Sequence, residues 1–320
     1  MKAMAAISSS ESTPADSASK APTAATGGVF PALVSAARPA QWVKNLVLPL
    51  PFLFGHALAT PRGWGLAAAG FAIFCAVSSG VYILNDVMDR RRDLAHPVKR
   101  FRPIASGRLP VRTALIAAAL LEATALALAF LLRPEFGQWC AIYAGLMTTY
   151  SLFLKNIPFL EALIVAAGMP LRALAGAALA GVWASPFLMG CAYLLALFLV
   201  AGKRQWEFQN AGNRSPSEHR PALAAYREEG LDYLFVVTAL ATVAGYASYS
   251  VSAATLARYG GRSLAPTVPL VILGLARYVR LVYRSGGGGN PTQTLLTDDP
   301  WLLAIVIAWV ATAGWIIYGR

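Results

Sequence analysis

A chain of 320 residues that is 57% hydrophobic and only 13% charged, with mean hydropathy +0.54, is too poor in charge for a soluble domain, where about a quarter of residues carry one. The apolar blocks from about residue 45 onward are long enough to cross a bilayer of ~30 Å, so a soluble enzyme, a disordered chain and a disulfide scaffold are excluded. The surplus of 27 Lys and Arg over 15 Asp and Glu, net +12, fits a membrane protein with basic loops and anionic partners, not nucleic acid.

In chain order, residues 1–28 are rich in Ala, Ser, Thr and Pro and contain no apolar run. They are predicted to be a disordered tail and not a cleaved signal; residues 29–320 are predicted to form one integral membrane domain. Nine spans are predicted by length and hydrophobicity, roughly 42–59, 64–85, 111–132, 136–153, 159–182, 185–203, 231–257, 266–283 and 300–318. The fold class is therefore all-α and polytopic, with about nine transmembrane helices. The spans include the acids Glu122 and Glu161 and one well-buried base, Arg172. Small-residue runs such as AGAALAG (175–181) suit close helix packing where lipid offers no hydrophobic drive. Cys75, Cys140 and Cys191 each stand alone in an apolar block, without metal-ligand spacing. With the N-terminus placed in the cytoplasm, 21 Lys and Arg lie on the inner side, 5 on the outer side, and Arg172 within a span. That asymmetry predicts a cell (inner) membrane protein whose N-terminus and polar chemistry face the cytoplasm.

The first polar group is Lys44, with Asn45, in RPAQWVKN (38–45); it reads either as an interfacial anchor or as a functional cation. The richest segment follows, GVYILNDVMDRRRDLAHPVKRFRPIASGRLP (80–110). Asp86, Asp89 and Asp93 are spaced i, i+3, i+7 and share one helical face with Asn85 beside them. Three stacked carboxylates repel unless a cation joins them, and Mg²⁺, which takes oxygen ligands and completes its shell with substrate phosphates, suits them. The alternative is neutralisation by Arg90, Arg91 and Arg92 in a stop-transfer cluster. Lys99, Arg100, Arg102 and Arg108 then occupy a loop rich in Pro and Gly. Beside an acidic stripe, guanidinium forks read as a diphosphate pocket, with His96 as a loop contact. A weaker constellation runs from Tyr150 through Lys155 to Glu161, with Arg172 three helical turns deeper on the Glu161 face; ionisable groups there are functional candidates, or an ion pair that fixes packing. The last, GKRQWEF, carries Lys203, Arg204 and Glu207; standing alone, Lys203 and Glu207 would be an i, i+4 ion pair.

NDVMDRRRD (85–93) matches the N-D-x-x-D-x-x-x-D form of the first Asp-rich motif of the UbiA-type intramembrane prenyltransferase superfamily, which the chain resembles over roughly residues 36–320. Within it, RPAQWVKN, HPVKRFRPIASG, YSLFLKNIPFLE and GKRQWEF look like the branch of decaprenyl-phosphate phosphoribosyltransferases. The resemblance implies a UbiA-like helical bundle and transfer of 5-phosphoribose from 5-phosphoribosyl diphosphate to a polyprenyl phosphate, with diphosphate leaving. It implies Mg²⁺ on Asp86, Asp89 and Asp93, with Asn85 placing the diphosphate. Lys99, Arg102, Lys203 and Arg204 would bind phosphate, and Glu161 and Tyr150 the ribose hydroxyls. Lys44, Lys155, Arg172 and Glu207 complete the substrate-binding candidates, the lipid tail would lie among the apolar spans, and a homo-oligomer is left open. One departure stands out: where prenyltransferases carry a second D-x-x-x-D, this chain reads Glu161-Ala-Leu-Ile-Val165, one carboxylate without a partner four residues on. That weighs against the first alternative, prenyl transfer from a diphosphate to an aromatic acceptor. A second alternative, a transporter, would place its polar residues near the midplane, whereas here charge gathers at one face.

Overall fold

The computed structural model describes residues 28–209, 228–284, 289 and 291–319, and none of these lies in a strand. The predicted tail, apart from Gly28, and residues 210–227 of the third inner loop lie outside the described residues. In order, the helices are α1 (Val29–Ala37), α2 (Leu50–Phe54), α3 (Pro61–Ala95), α4 (Val111–Leu132), α5 (Pro134–Thr149), α6 (Leu160–Ala180), α7 (Pro186–Gln209), α8 (Glu228–Val251), α9 (Ala253–Arg258), α10 (Val268–Arg284) and α11 (Pro300–Tyr318). Seven described helical stretches are long and apolar enough to cross a membrane: α3, α4, α6, α7, most of α8, α10 with the turn before it, and α11.

Three of the nine predicted spans differ from a single long helix. Segment 42–59 is broken into a 3₁₀ helix over Pro39–Val47, the five-residue α2 and a 3₁₀ turn over Ala57–Ala59. Pro49 and Pro51 bring no N–H to a helical ladder, and His56 sits at φ +58, so the chain turns where hydrophobicity alone would let it run on. Segment 136–153 is the 16-residue α5, which widens into a π turn over Tyr150–Leu154. The predicted span 231–257 also breaks near its end, where the Ser252 hydroxyl accepts the Thr255 N–H (3.3 Å) and starts α9.

The α3 helix is the spine. Its Phe74, Val77 and Val81 pack in one core with Tyr143, Met147, Ile164 and Leu179. On α4, buried Ala114, Ala118, Ala125 and Ala129 recur at helical spacing, and small side chains of this kind allow two helices to approach closely without hydrophobic drive. A second core joins α7, α8 and α10 through Phe198, Phe235 and Tyr278. Between the two halves lies an apolar chamber of about 430 Å³, walled by Leu50, Met169, Leu195, Leu199, Tyr246 and Trp309 among others.

Candidate active site

The α3 helix continues unbroken to Ala95. At 1.5 Å per residue its 35 residues span about 50 Å, well beyond the ~30 Å hydrocarbon layer, so its last turns carry the acidic stripe out of the apolar zone. Asp86 and Asp93 are buried, and Asp89 is half-buried. One nitrogen joins the first two: Arg102 Nη1 donates to Asp86 Oδ1 at 3.1 Å and to Asp93 Oδ2 at 2.8 Å. Arg38 also donates to Asp86. The structure takes Asp89 elsewhere, to Lys155 Nζ at 2.6 Å, while Arg92 reaches the Asn156 side chain at 3.1 Å. Asn85 is half-buried beside Asp86.

The basic loop is a folded plug. His96 Nδ1 accepts the N–H groups of Val98 (3.2 Å) and Lys99 (3.3 Å), the loop contact expected of it. Arg108 Nη2 donates to the Phe101 carbonyl at 2.7 Å, and the chain reverses at Gly107, φ +79, a conformation that favours glycine. Ile104 and Leu109 are buried against Ile83 and Ala114. This anchorage carries Arg102 back over the stripe, with Lys99 half-buried on the same loop.

Beyond the π turn, Phe159 adopts φ +61, strained for a bulky side chain, and so reverses the chain into α6 at Glu161. Glu161 is fully buried and meets Arg204 as a two-bonded fork, Nε to Oε1 at 2.6 Å and Nη2 to Oε2 at 2.8 Å. Arg204 Nη1 adds Glu207 at 2.6 Å, and Tyr150 stands close enough to bear on its charge. Lys203 is 3.8 Å from Glu207. Neither Arg172 nor Lys155, the two partners that the packing alternative offered Glu161, pairs with it: Lys155 goes to Asp89. Arg172 turns into the bundle, donating to Asn45 Oδ1 (2.8 Å), Gly168 O (2.6 Å) and Tyr143 Oη (2.8 Å), with its guanidinium over the Tyr143 ring at 4.7 Å. It thereby holds the broken segment through Asn45, whose amide also donates to Ser78 Oγ at 3.1 Å. Lys44, on the 3₁₀ helix ahead of the spanning helices, keeps part of its side chain open.

The acidic stripe fits a divalent cation in a particular way. Asp86 and Asp93 already converge on a single cationic nitrogen, a two-carboxylate donor set of the kind Mg²⁺ completes with water and phosphate oxygens. Among the described residues, no three of His, Cys, Asp or Glu converge on one point; Asp89 belongs to a neighbouring pair with Lys155.

The profile of the UbiA prenyltransferase family matches residues 48–292. The chain belongs to that family. Two relatives named decaprenyl-phosphate phosphoribosyltransferase align over most of it. The protein from Corynebacterium glutamicum is 33% identical over 282 residues, 87% of this chain and 84% of the relative. That from Mycolicibacterium smegmatis is 30% identical over 296 residues, 89% of this chain and 92% of the relative. Among solved structures, a UbiA homolog from Archaeoglobus fulgidus bound to GPP and Mg²⁺ superposes with TM-score 0.69 at 18% identity, covering 89% of this chain and 99% of that one. At that identity the likeness speaks for the fold, an all-helical integral membrane bundle. In this UbiA-family chain, Arg38 is the site residue that sequence reasoning missed. Its signal was its place at the head of RPAQWVKN, and its backbone, at φ +55, is strained in the left-handed region while its guanidinium lies 5.5 Å over the Tyr82 ring. Asn156, which accepts from Arg92, gave no such signal.

Proposed function

We propose that this UbiA-family protein transfers 5-phosphoribose from 5-phosphoribosyl diphosphate to a polyprenyl phosphate of the decaprenyl type. The reaction would take place at the cytoplasmic face of the cell (inner) membrane. The observation that carries the reading is the pairing of Glu161 with Arg204: the sole acid at the second motif is committed to a buried fork, which leaves one acidic stripe. The names of the two aligned relatives support the same reading.

In this reading an oxygen of the lipid phosphate attacks C1 of the ribose, and the C1–O bond to diphosphate breaks with its electron pair leaving on the diphosphate. The phosphate nucleophile is already ionised, so the chain need supply no strong base. Asp86 and Asp93 would hold Mg²⁺, with Asp89 at its margin, and the bound ion would offset the charge that develops on the leaving diphosphate. Arg38 and Arg102, anchored on those carboxylates, present their remaining N–H groups to phosphate oxygens, and planar guanidinium forks suit that task. Lys99 adds charge from the plug, and Asn85 lies beside Asp86 to orient the donor. Lys155 keeps Asp89 in place. The Glu161–Arg204–Glu207 cluster holds α6 against α7, with Tyr150 near it as the candidate for a ribose hydroxyl contact.

The test is incubation of the purified protein with Mg²⁺, ribose-labelled 5-phosphoribosyl diphosphate and polyprenyl phosphate, followed by mass analysis of the lipid. A gain of one phosphoribosyl group is the expected result. Label passing from a prenyl diphosphate to an aromatic acceptor, with none from ribose to lipid, would sink the reading.

A further inference from the structure

Each carboxylate of the acidic stripe has a cation of the protein on it, and those cations come from three separate segments. Arg38, between α1 and the 3₁₀ helix, donates to Asp86. Arg102, on the plug, donates to Asp86 and Asp93 from one nitrogen. Lys155, beyond the π turn, donates to Asp89. Three carboxylates thus meet three cations, and their charges balance. The layering matters as much as the charge. The Asp86 and Asp93 side chains are 3% and 6% exposed, whereas those of Arg38 and Arg102 are 25% and 29% exposed. The carboxylates form a floor, and the two guanidinium groups lie over it on the open side.

A divalent cation arriving alone would meet a balanced cluster and could reach both floor carboxylates only by parting them from their guanidinium groups. That would leave two partly buried cations without a counter-charge, which is unfavourable. A diphosphate arriving alone would meet N–H groups already engaged, above carboxylates that repel it. When the two arrive together, every charge finds a new partner. The carboxylate oxygens turn to the metal, and the guanidinium forks, whose planar geometry suits phosphate, turn to the diphosphate. We infer that Arg38 and Arg102 are specificity-determining residues that act as a gate: they close the Asp86–Asp93 floor to a free divalent cation and open it to a metal–diphosphate pair. This rests on the metal and donor assignments of the proposed transfer reaction and goes beyond them, because it makes each partner's binding depend on the other. Such coupling is reciprocal, so diphosphate raises metal affinity by the same factor as the metal raises diphosphate affinity.

The test is equilibrium dialysis of the full-length protein in detergent, with Mn²⁺ and radiolabelled inorganic pyrophosphate as probes. The membrane retains the protein micelle and passes both probes and their complex, so retention is read against a protein-free chamber. Wild type should bind Mn²⁺ roughly tenfold or more tightly with pyrophosphate than without, and pyrophosphate should gain from Mn²⁺ by the same factor. Arg102→Gln and Arg38→Gln should bind Mn²⁺ alone about ten- to a hundredfold more tightly than wild type, the size of one charge-assisted contact. Arg102→Gln should gain more, since Arg102 holds both carboxylates, and in both variants the enhancement by pyrophosphate should shrink. Arg112→Gln removes an exposed charge at the start of α4 and should leave Mn²⁺ binding near the wild-type value. A gain in either variant at Arg38 or Arg102, which loss of folding does not produce, supports the gate. A gain in neither, an equal gain in Arg112→Gln, or wild type that binds Mn²⁺ alone as tightly as with pyrophosphate overturns it, and the transfer reaction can still hold. If the gate behaves as stated but no phosphoribose reaches a lipid phosphate, the transfer reading fails and the gate stands.

Discussion

Glu161 and Arg204 are both buried, and each supplies the charge that makes the other tolerable there. Removing one partner of such a pair costs ~3–5 kcal/mol, because the survivor is left uncompensated. Glu161→Ala should therefore lower the unfolding temperature in detergent sharply, and Glu161→Gln, which keeps the shape and a hydrogen bond, less so. An unchanged melting curve for Glu161→Ala would remove the carboxylate from the packing and return it to the substrate. The acidic stripe divides in the same way. Asp86 and Asp93 share one cation while Asp89 faces Lys155. Asp86→Asn and Asp93→Asn should each weaken Mn²⁺ binding, read by electron paramagnetic resonance with diphosphate present, and lower turnover about a hundredfold or more. Asp89→Asn should do less on both. Equal losses of Mn²⁺ binding at all three positions would restore the three-carboxylate site that their spacing suggests.

The broken first segment is placed by close backbone approach as much as by side chains. A Cβ on Gly176 would come within 2.0 Å of the Leu48 carbonyl oxygen, a backbone atom with little room to retreat. Leu48 lies just past the 3₁₀ helix that carries Lys44 and Asn45, so Gly176→Ala should displace that segment. The expected outcome is a lowered unfolding temperature in detergent. Gly190 on α7 has no atom within 4 Å of its would-be Cβ, so Gly190→Ala should leave the unfolding temperature unchanged or raise stability by about 0.5–1 kcal/mol. If Gly176→Ala behaves like Gly190→Ala in thermal scans, the broken segment is less firmly seated on α6 than the contact implies.

For the whole molecule, the orientation we propose puts 21 Lys and Arg on the inner side and 5 on the outer, the bias expected of a cytoplasmic polar face. Val98, on the basic plug, and Ala257, on α9, are both exposed and lie at opposite ends. Cys75, Cys140 and Cys191 are buried, so single cysteines can be added with little labelling of the native thiols. Ala257→Cys should react with an impermeant maleimide on intact cells, and Val98→Cys only after permeabilisation. The reverse pattern would put the polar site outside the cell and remove its access to a cytoplasmic donor.

Much of this architecture was legible from local pattern. Apolar length marked nine spans, of which seven are described helices long enough to cross a membrane, and i, i+3, i+7 spacing placed Asp86, Asp89 and Asp93 on one helix, because hydrophobicity and helical periodicity are properties of neighbouring residues. The membrane class, the helical fold and the acidic stripe were therefore determined by the sequence itself. What each charge does was decided only by the tertiary structure. Arg172 spends its guanidinium on Asn45, 127 residues away, Arg204 on Glu161 at a separation of 43, and Arg38 on Asp86 at 48. In a low-dielectric interior a charge must take whichever partner packing brings within reach, and no spacing along the chain encodes that meeting. The same holds for the broken first span: its prolines are visible in the sequence, but its path is set by the glycine surface of α6 on which it rests.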